Sequence, residues 1–189
     1  MDRGTVDVID AVLAQLSCNT GRITVLFLAL SAALFWLDRA LISDVVRFGI
    51  VSFEFAATGV RSAEILDAWG DVGIKRALTI QAIDFLYLLV YPVWFALVLR
   101  KLTRNRGGAI GRGCAWVSVA VIVAAPLDAM ENVALVYQLI ASAAHPAALI
   151  AAGCASVKFA LVAAAVIAIV AALIKLGVEW VKARRADHG

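Results

Sequence analysis

Long runs of apolar residues dominate the pattern of hydrophobic and polar positions along this chain. Four runs are long enough to form membrane-spanning helices, at about 23–42, 78–99, 114–140 and 147–176. Because a helix rises about 1.5 Å per residue, about 20 mostly apolar residues cross the hydrocarbon core of a bilayer. The pattern therefore predicts an all-α protein, a four-transmembrane-helix bundle that forms a single membrane domain over residues 1–189.

The first connection, about residues 43–77, is too apolar for a plain loop. Between Gly59 and Trp69 apolar and charged residues follow each other at helical spacing, and Gly70 supplies a stop signal. This pattern predicts an amphipathic helix that lies at the outer membrane interface or caps the bundle. A structured connector with no task of its own is the alternative interpretation.

Composition supports lipid as the solvent of this chain. Hydrophobic residues make up 63% and charged residues 16%, and the mean hydropathy is +0.94. An ordinary soluble domain is about half apolar and about a quarter charged. The net charge of +3 comes from short basic stretches beside the apolar runs. Membrane lipids are therefore the expected partners, and no nucleic-acid partner is expected.

The basic stretches also predict an orientation. The connection between the second and third runs has five basic residues and no acidic one, and the carboxy-terminal tail is basic as well. Positively charged loops stay in the cytoplasm, so both termini are expected there and the first and third connections outside. The basic residues of the loop are Arg100, Lys101, Arg104, Arg106 and Arg112.

Ionisable residues inside the apolar runs are the strongest indication of a site. Each costs about 2.5–3.5 kcal/mol at the bilayer centre, so such residues face the bundle interior and find partners. Helical rise places those of the second, third and fourth runs at similar depth in the outer half of the membrane. This predicts one shared polar cluster of Asp84, Asp128, Glu131, Asn132 and Lys158.

Further residues are candidates for a secondary role in this cluster. Two lie near the outer end of the first run, two follow Asp84 on nearby faces of its helix, and one lies in the first connection. They are Asp38, Arg39, Tyr87, Tyr91 and Glu54.

Two interpretations of the cluster stay open. In the first, Lys158 pairs with Asp128 or Glu131 and only fixes the packing of the helices. In the second, the acidic residues outnumber Lys158 because the cluster binds a ligand or a proton. Sequence alone does not give the rotation of the helices that would separate the two.

Several familiar chemistries have no signature here. The three cysteines show no C-x-x-C spacing, and the two histidines lie outside the apolar runs. Neither a metal site nor a cofactor is expected, and a nucleophile activated by histidine is not indicated. Enzymatic activity is therefore not the favoured interpretation.

Four short motifs together resemble a family of small bacterial four-helix integral membrane proteins of unknown function with a D-A-x-E-N signature. They are the run 53–58 (FEFAAT), Ile83-Asp84-Phe85, the run 126–132 (PLDAMEN) and Val157-Lys158-Phe159. The resemblance implies a four-helix membrane fold and gives weight to the polar cluster as a unit. It implies no activity.

The leading functional hypothesis is an outward-facing polar cluster that binds a lipid-like or cationic ligand, or a membrane partner. A proton-coupled, transporter-like protein is the first alternative, because the carboxyl groups outnumber the lysine. A lipid-modifying enzyme that uses a carboxyl group as general acid or base is the second. A homo-oligomer is compatible with each hypothesis, since the fourth run is rich in small residues.

Overall fold

The computed structural model describes residues 15–103, 108–141 and 145–186. Helices make up 93% of the structure, and there is no strand in the described ranges. The predicted all-α class is confirmed. Four helices are long and apolar enough to cross a membrane.

Within the described ranges, six α-helices and three short 3-10 turns follow one another. The 3-10 turns are Ser17–Asn19, Arg39–Leu41 and Val121–Val123. The helices are α1 (Thr20–Asp38), α2 (Ile50–Glu54), α3 (Gly59–Thr103), α4 (Gly108–Ala120), α5 (Ala124–Ala141) and α6 (His145–Ala186). The four stretches able to span a membrane are Ser17–Leu41, Gly59–Thr103, Gly108–Ala141 and Pro146–Lys182.

Helix α3 contains both the segment 59–69 and the predicted second span. The two parts meet at Gly70, whose φ of 56° and ψ of −172° are not helical. Only glycine adopts this backbone conformation without a large steric cost. Before the break, Ile65 and Trp69 are buried, while Val60 is 74% exposed. Residues 59–69 therefore pack one side against the end of the bundle.

The third span is irregular where Pro126 enters it. Proline has no backbone N–H and its ring displaces the carbonyl group four residues earlier, here that of Ile122. The 3-10 turn Val121–Val123 lies at this point and separates α4 from α5. Helices α4 and α5 are thus one membrane-length stretch, Gly108–Ala141, with a proline-induced interruption.

Helix α1 lies at the edge of the bundle. None of its residues is buried, and it packs mainly against α3. The Phe27 ring stacks on Trp94 with centroids 4.1 Å apart, and Trp94 Nε1 donates to Thr24 Oγ1 at 3.0 Å. The helices α3, α5 and α6, together with α4, form the packed core, and α1 covers one side of α3.

Two apolar cores lie at opposite ends of the bundle. The first contains α2, the last part of α5 and the start of α6, and we call this the connector end. Here Phe53 is fully buried beside Trp69, with ring centroids 5.3 Å apart. The second core surrounds Phe95 and Leu99 near the basic residues that end α3, and we call this the basic end. Polar side chains occupy the level between them.

Candidate functional site

Lys158 lies at the centre of a buried group of charges. Its ammonium donates to Asp128 Oδ1 at 2.9 Å and to Glu131 Oε1 at 2.8 Å. Asp128 and Glu131 are one turn apart on α5, so both point at the same place on α6. The predicted contact of Lys158 with Asp128 or Glu131 is confirmed, and it involves both carboxyl groups.

The amide of Asn132 connects this group to α3. Asn132 Nδ2 donates to Asp84 Oδ2 at 2.7 Å. Asn132 follows Glu131 on α5 and turns toward α3 while Glu131 turns toward α6. Three separate helices therefore meet in one hydrogen-bonded set.

Glu54 reaches the same level from the connector end. It is the last residue of α2 and is 7% exposed. Glu54 Oε1 lies 3.9 Å from Lys158 Nζ, at the limit of an ion pair. Helix α2 is anchored by the buried Phe53, which inserts the end of this short helix between the longer ones. We call Glu54, Asp84, Asp128, Glu131, Asn132 and Lys158 the polar cluster.

The depth of the polar cluster follows from helix register. Asp128 lies 13 residues before the end of α5 at Ala141, and Lys158 lies 13 residues after the start of α6 at His145. At about 1.5 Å per residue Asp128 is about 20 Å from the end of α5 and Lys158 is about 20 Å from the start of α6. Since only three residues separate the two helices, these side chains come to similar height.

A cavity of about 230 Å³ adjoins the polar cluster. Residues of α3 and α6 form most of its wall, and Phe159 at its edge is 39% exposed. The cavity therefore opens between these two helices. Its lining combines carboxyl groups with aromatic rings and consists of Glu54, Asp84, Tyr87, Tyr91, Phe95, Asp128, Lys158, Phe159 and Val162.

Three buried oxygen atoms at this level have no hydrogen-bond partner among the described residues. They are Tyr91 Oη, Glu54 Oε2 and Glu131 Oε2. Tyr91 and Glu54 line the cavity and are only 3% and 7% exposed. Buried polar atoms are almost always satisfied in folded proteins, so these atoms indicate unused binding capacity.

Negative charge exceeds positive charge in the polar cluster. Four carboxyl groups face one ammonium group. The pKa of Glu54 is raised from 4.5 to about 7; burial is the largest cause, the charge of Lys158 lowers the pKa, and the charges of Asp84 and Asp128 raise it. Near neutral pH the site can therefore change its proton content.

Asp38 and Arg39 lie away from the polar cluster. Asp38 Oδ1 accepts the backbone N–H of Ile50 at 2.6 Å, so it caps the start of α2. Arg39 borders a separate surface pocket with Trp36 and Arg76. The other predicted residues do come together, since Glu54, Tyr87 and Tyr91 line the cavity.

Some polar contacts near the site have only weak sequence signals. Ser62 Oγ donates to Gln138 Oε1 at 2.7 Å in the connector-end core. Gln138 lies seven residues after Glu131 and thus on the same helix face, a spacing that could have pointed to it. Ser31 on α1 donates to the Tyr87 hydroxyl at 3.2 Å, and no periodicity indicates that pair.

Metal binding has no geometric support in the described part of the chain. Within it, no group of three or more histidine, cysteine, aspartate or glutamate side chains is arranged to hold a metal ion. The acidic side chains of the polar cluster instead face Lys158 and Asn132.

Comparison with known proteins gives no relative. No family model, no curated protein and no solved structure matches this chain. The resemblance to D-A-x-E-N membrane proteins therefore stays a prediction, and the function must be argued from the geometry of the site.

Proposed function

We propose that the chain is a multi-pass protein of a bacterial inner membrane with its basic end in the cytoplasm. The basic loop between α3 and α4 and the basic carboxy-terminal part of α6 support this orientation. The connector end then faces outward, and the polar cluster lies about 20 Å from the ends of α5 and α6 on that side. The bacterial location rests on the family resemblance.

We propose further that the cavity binds an organic ammonium group, free or as part of a lipid headgroup. One observation carries the proposal: the cavity beside the polar cluster is lined by carboxyl groups and aromatic rings together, and two of its lining residues have buried oxygens without hydrogen-bond partners among the described residues. The unsatisfied atoms are Tyr91 Oη and Glu54 Oε2.

The charge balance favours a cation over an anion or a neutral molecule. Lys158 directly compensates Asp128 and Glu131, whereas Asp84 receives only the neutral amide of Asn132. Uncompensated carboxylates in a medium of low dielectric constant attract positive charge strongly. An ammonium group near Asp84 and Glu54 would supply it.

The aromatic residues favour an organic cation over a bare metal ion. The Tyr87 and Tyr91 rings lie 5.1 Å apart, and Phe159 is already contacted by the Lys158 ammonium, 5.1 Å from its ring centroid. Aromatic faces attract alkylammonium groups, and cages of such rings recognise quaternary ammonium ligands. Since small-molecule pockets usually measure about 300–1,000 Å³, a cavity of about 230 Å³ suits a small headgroup.

A binding measurement with a neutral isostere tests this proposal. The full chain in nanodiscs of phosphatidylglycerol is titrated with choline and, separately, with 3,3-dimethylbutan-1-ol, which has the same shape without the charge. We expect choline to bind and the alcohol to bind at least tenfold more weakly. Equal binding of both, or no binding of choline, would overturn the cation site.

Matched variants assign the binding to the cavity. Asp84→Asn should weaken choline binding at least tenfold, because it removes the least compensated carboxylate at the cavity. Asp67→Asn changes an exposed aspartate on the same helix and should leave binding unaltered. Circular dichroism of both variants checks that the helices persist. Equal affinities of Asp84→Asn and the wild type would place the site elsewhere.

The lipid composition of the nanodisc distinguishes the two sources of the ammonium group. If a lipid headgroup is the natural ligand, phosphatidylethanolamine in the disc should compete with choline. If a free amine is the ligand, choline affinity should be the same in discs with and without phosphatidylethanolamine.

A further inference from the structure

Glu54 and Glu131 are two buried carboxyl groups in the polar cluster, and we treat them as a pair. They come from different elements, α2 and α5, and both are buried. Both reach the same ammonium group, since Glu54 Oε1 lies 3.9 Å and Glu131 Oε1 lies 2.8 Å from Lys158 Nζ. One oxygen of each, Glu54 Oε2 and Glu131 Oε2, has no hydrogen-bond partner among the described residues.

The other groups at this level leave the pair short of positive charge. Lys158 Nζ is 2.8 Å from Glu131 Oε1 but 3.9 Å from Glu54 Oε1. The same ammonium also serves Asp128 at 2.9 Å. One ammonium therefore cannot compensate three carboxylates, and Glu54 is the most weakly compensated of them.

The hydrogen-bonding rules of carboxyl groups indicate how the two oxygens without partners can be bonded. An ionised carboxylate only accepts hydrogen bonds, so two ionised carboxylates repel each other and cannot bond. One added proton converts one of them into a donor and removes one negative charge. The burial of Glu54, which raises its pKa to about 7, is consistent with this state near neutral pH.

We propose that the Glu54–Glu131 pair holds one proton, and that an ammonium ligand in the cavity expels this proton. The inference rests on the proposed cation site and deepens it. The carboxylic O–H bond breaks, its electron pair stays on the carboxylate, and the proton leaves to water. The ligand replaces one positive charge by another, so the net charge of the site does not change.

The remaining titratable groups around the pair have other partners or lie on other sides. Asp84 on α3 accepts from Asn132, and Asp128 on α5 accepts from Lys158. Glu54 is the group that both lines the cavity and belongs to the pair, so the proton and the ligand compete at Glu54. The remaining titratable side chains close to the pair are Tyr87, Tyr91 and Cys154.

Proton release on binding is the direct test. Calorimetric titration of choline in two buffers of different ionisation enthalpy gives the number of protons released per ligand bound. We expect about one proton for the wild type near pH 6. Below pH 7 the choline affinity should rise about tenfold for each unit by which the pH increases, because fewer protons then compete with the ligand. Choline binding without proton release would overturn the exchange but leave the cation site intact.

The shared proton also has a signature without any ligand. Infrared difference spectra between pH 5 and pH 9 should show a protonated carboxyl band that Glu54→Gln removes. Glu64→Gln, a change at an exposed glutamate of α3, should keep the band. A band that persists in both Glu54→Gln and Glu131→Gln would overturn the shared proton. If the band behaves as expected but choline does not bind, the cation site and its coupling to the proton both fail.

Discussion

At the scale of single residues, Lys158 is the side chain on which the polar cluster depends. Its ammonium bonds to Asp128 and Glu131, and all three side chains are buried. Removing one partner of a buried ion pair leaves uncompensated charge and costs about 3–5 kcal/mol. We expect Lys158→Met to lower the free energy of unfolding by about 3 kcal/mol, measured by unfolding in mixed micelles of increasing SDS fraction.

A combined variant separates charge from packing. Lys158→Met together with Asp128→Asn and Glu131→Gln should recover much of the loss, because no charge is then left without a partner. Lys75→Met changes an exposed lysine of α3 and should stay within about 0.5 kcal/mol of the wild type. Additive effects of the three cluster changes would contradict this account of Lys158.

Glu54 gives the protein a predictable dependence on pH. Its pKa is raised from 4.5 to about 7, chiefly by burial. Folding therefore favours the protonated form: its contribution to stability is fully present below pH 4.5 and is lost as the pH rises through about 7. We expect the wild type to lose more stability than Glu54→Gln between pH 5 and pH 8 in the same unfolding assay.

The charged groups around Glu54 also contribute to the dependence of stability on pH. Lys158, Asp84, Asp128 and Glu131 surround it and remain in the variant. The difference between the two pH profiles therefore reports Glu54 together with its coupling to Glu131, while any shared slope comes from the other groups. Parallel profiles of wild type and Glu54→Gln would refute the raised pKa.

Two features favour glycine at position 49, namely its backbone conformation and the nearby Asp38 side chain. Gly49 has a φ of 55°, and a Cβ atom there would collide with the Asp38 carboxylate that caps α2. Gly70 has a similar φ of 56° but open space around it. We expect Gly70→Ala to cost about 1–3 kcal/mol in stability and Gly49→Ala to cost more, measured by SDS unfolding. Equal losses would show that the Asp38 carboxylate moves aside freely.

The contact of Lys158 with Asp128 and Glu131 was predictable from the sequence. The contacts of the other residues in the polar cluster were only partly predictable. Asp128 and Glu131 share a helix face, and a short turn makes α5 and α6 antiparallel neighbours, so helical arithmetic suffices for that contact. Helix rotation about the long axis is set by packing in three dimensions. The bond from Asn132 to Asp84 and the separation of Asp38 from the polar cluster depend on that rotation.

At the scale of elements, apolar runs identify membrane-length helices because lipid imposes one simple requirement of length and polarity. The short helix α2 carries no such signal. Its five residues fold because Phe53 and Ile50 are buried against other elements and Asp38 caps it. Local periodicity does not contain those contacts, so the element that delivers Glu54 to the site was not predicted.

The segment 59–69 offers a test at this scale. Val60 points away from the protein, whereas Leu66 packs against the connector-end core. After replacement of the native cysteines, a spin label at position 66 should show restricted motion and one at position 60 faster motion, in electron paramagnetic resonance spectra. Free isotropic motion at both positions would mean that the segment does not pack on the bundle.

At the scale of the whole molecule, the long helices extend beyond a bilayer on one side. Helix α6 has 42 residues and rises about 63 Å, while the hydrocarbon core is about 30 Å thick. Lys158 lies about 20 Å from its start, so the excess length falls at the basic end. There Arg184 stacks on Trp180, with the guanidinium 4.1 Å from the ring centroid. An extension of this kind suits an aqueous environment outside the hydrocarbon core.

The orientation of the whole chain gives the last prediction. The positively charged loop and tail should both be cytoplasmic, because basic flanks are retained on that side during insertion. Reporter enzymes inserted at Arg106, which lies outside the described residues, and after Arg185 should therefore read as internal. A reporter inserted at Asp44, an exposed residue of the connector end, is the matched control and should read as external. The same side for all three sites would contradict the span count, and reversed signals would contradict the proposed orientation, because the basic end would then lie outside.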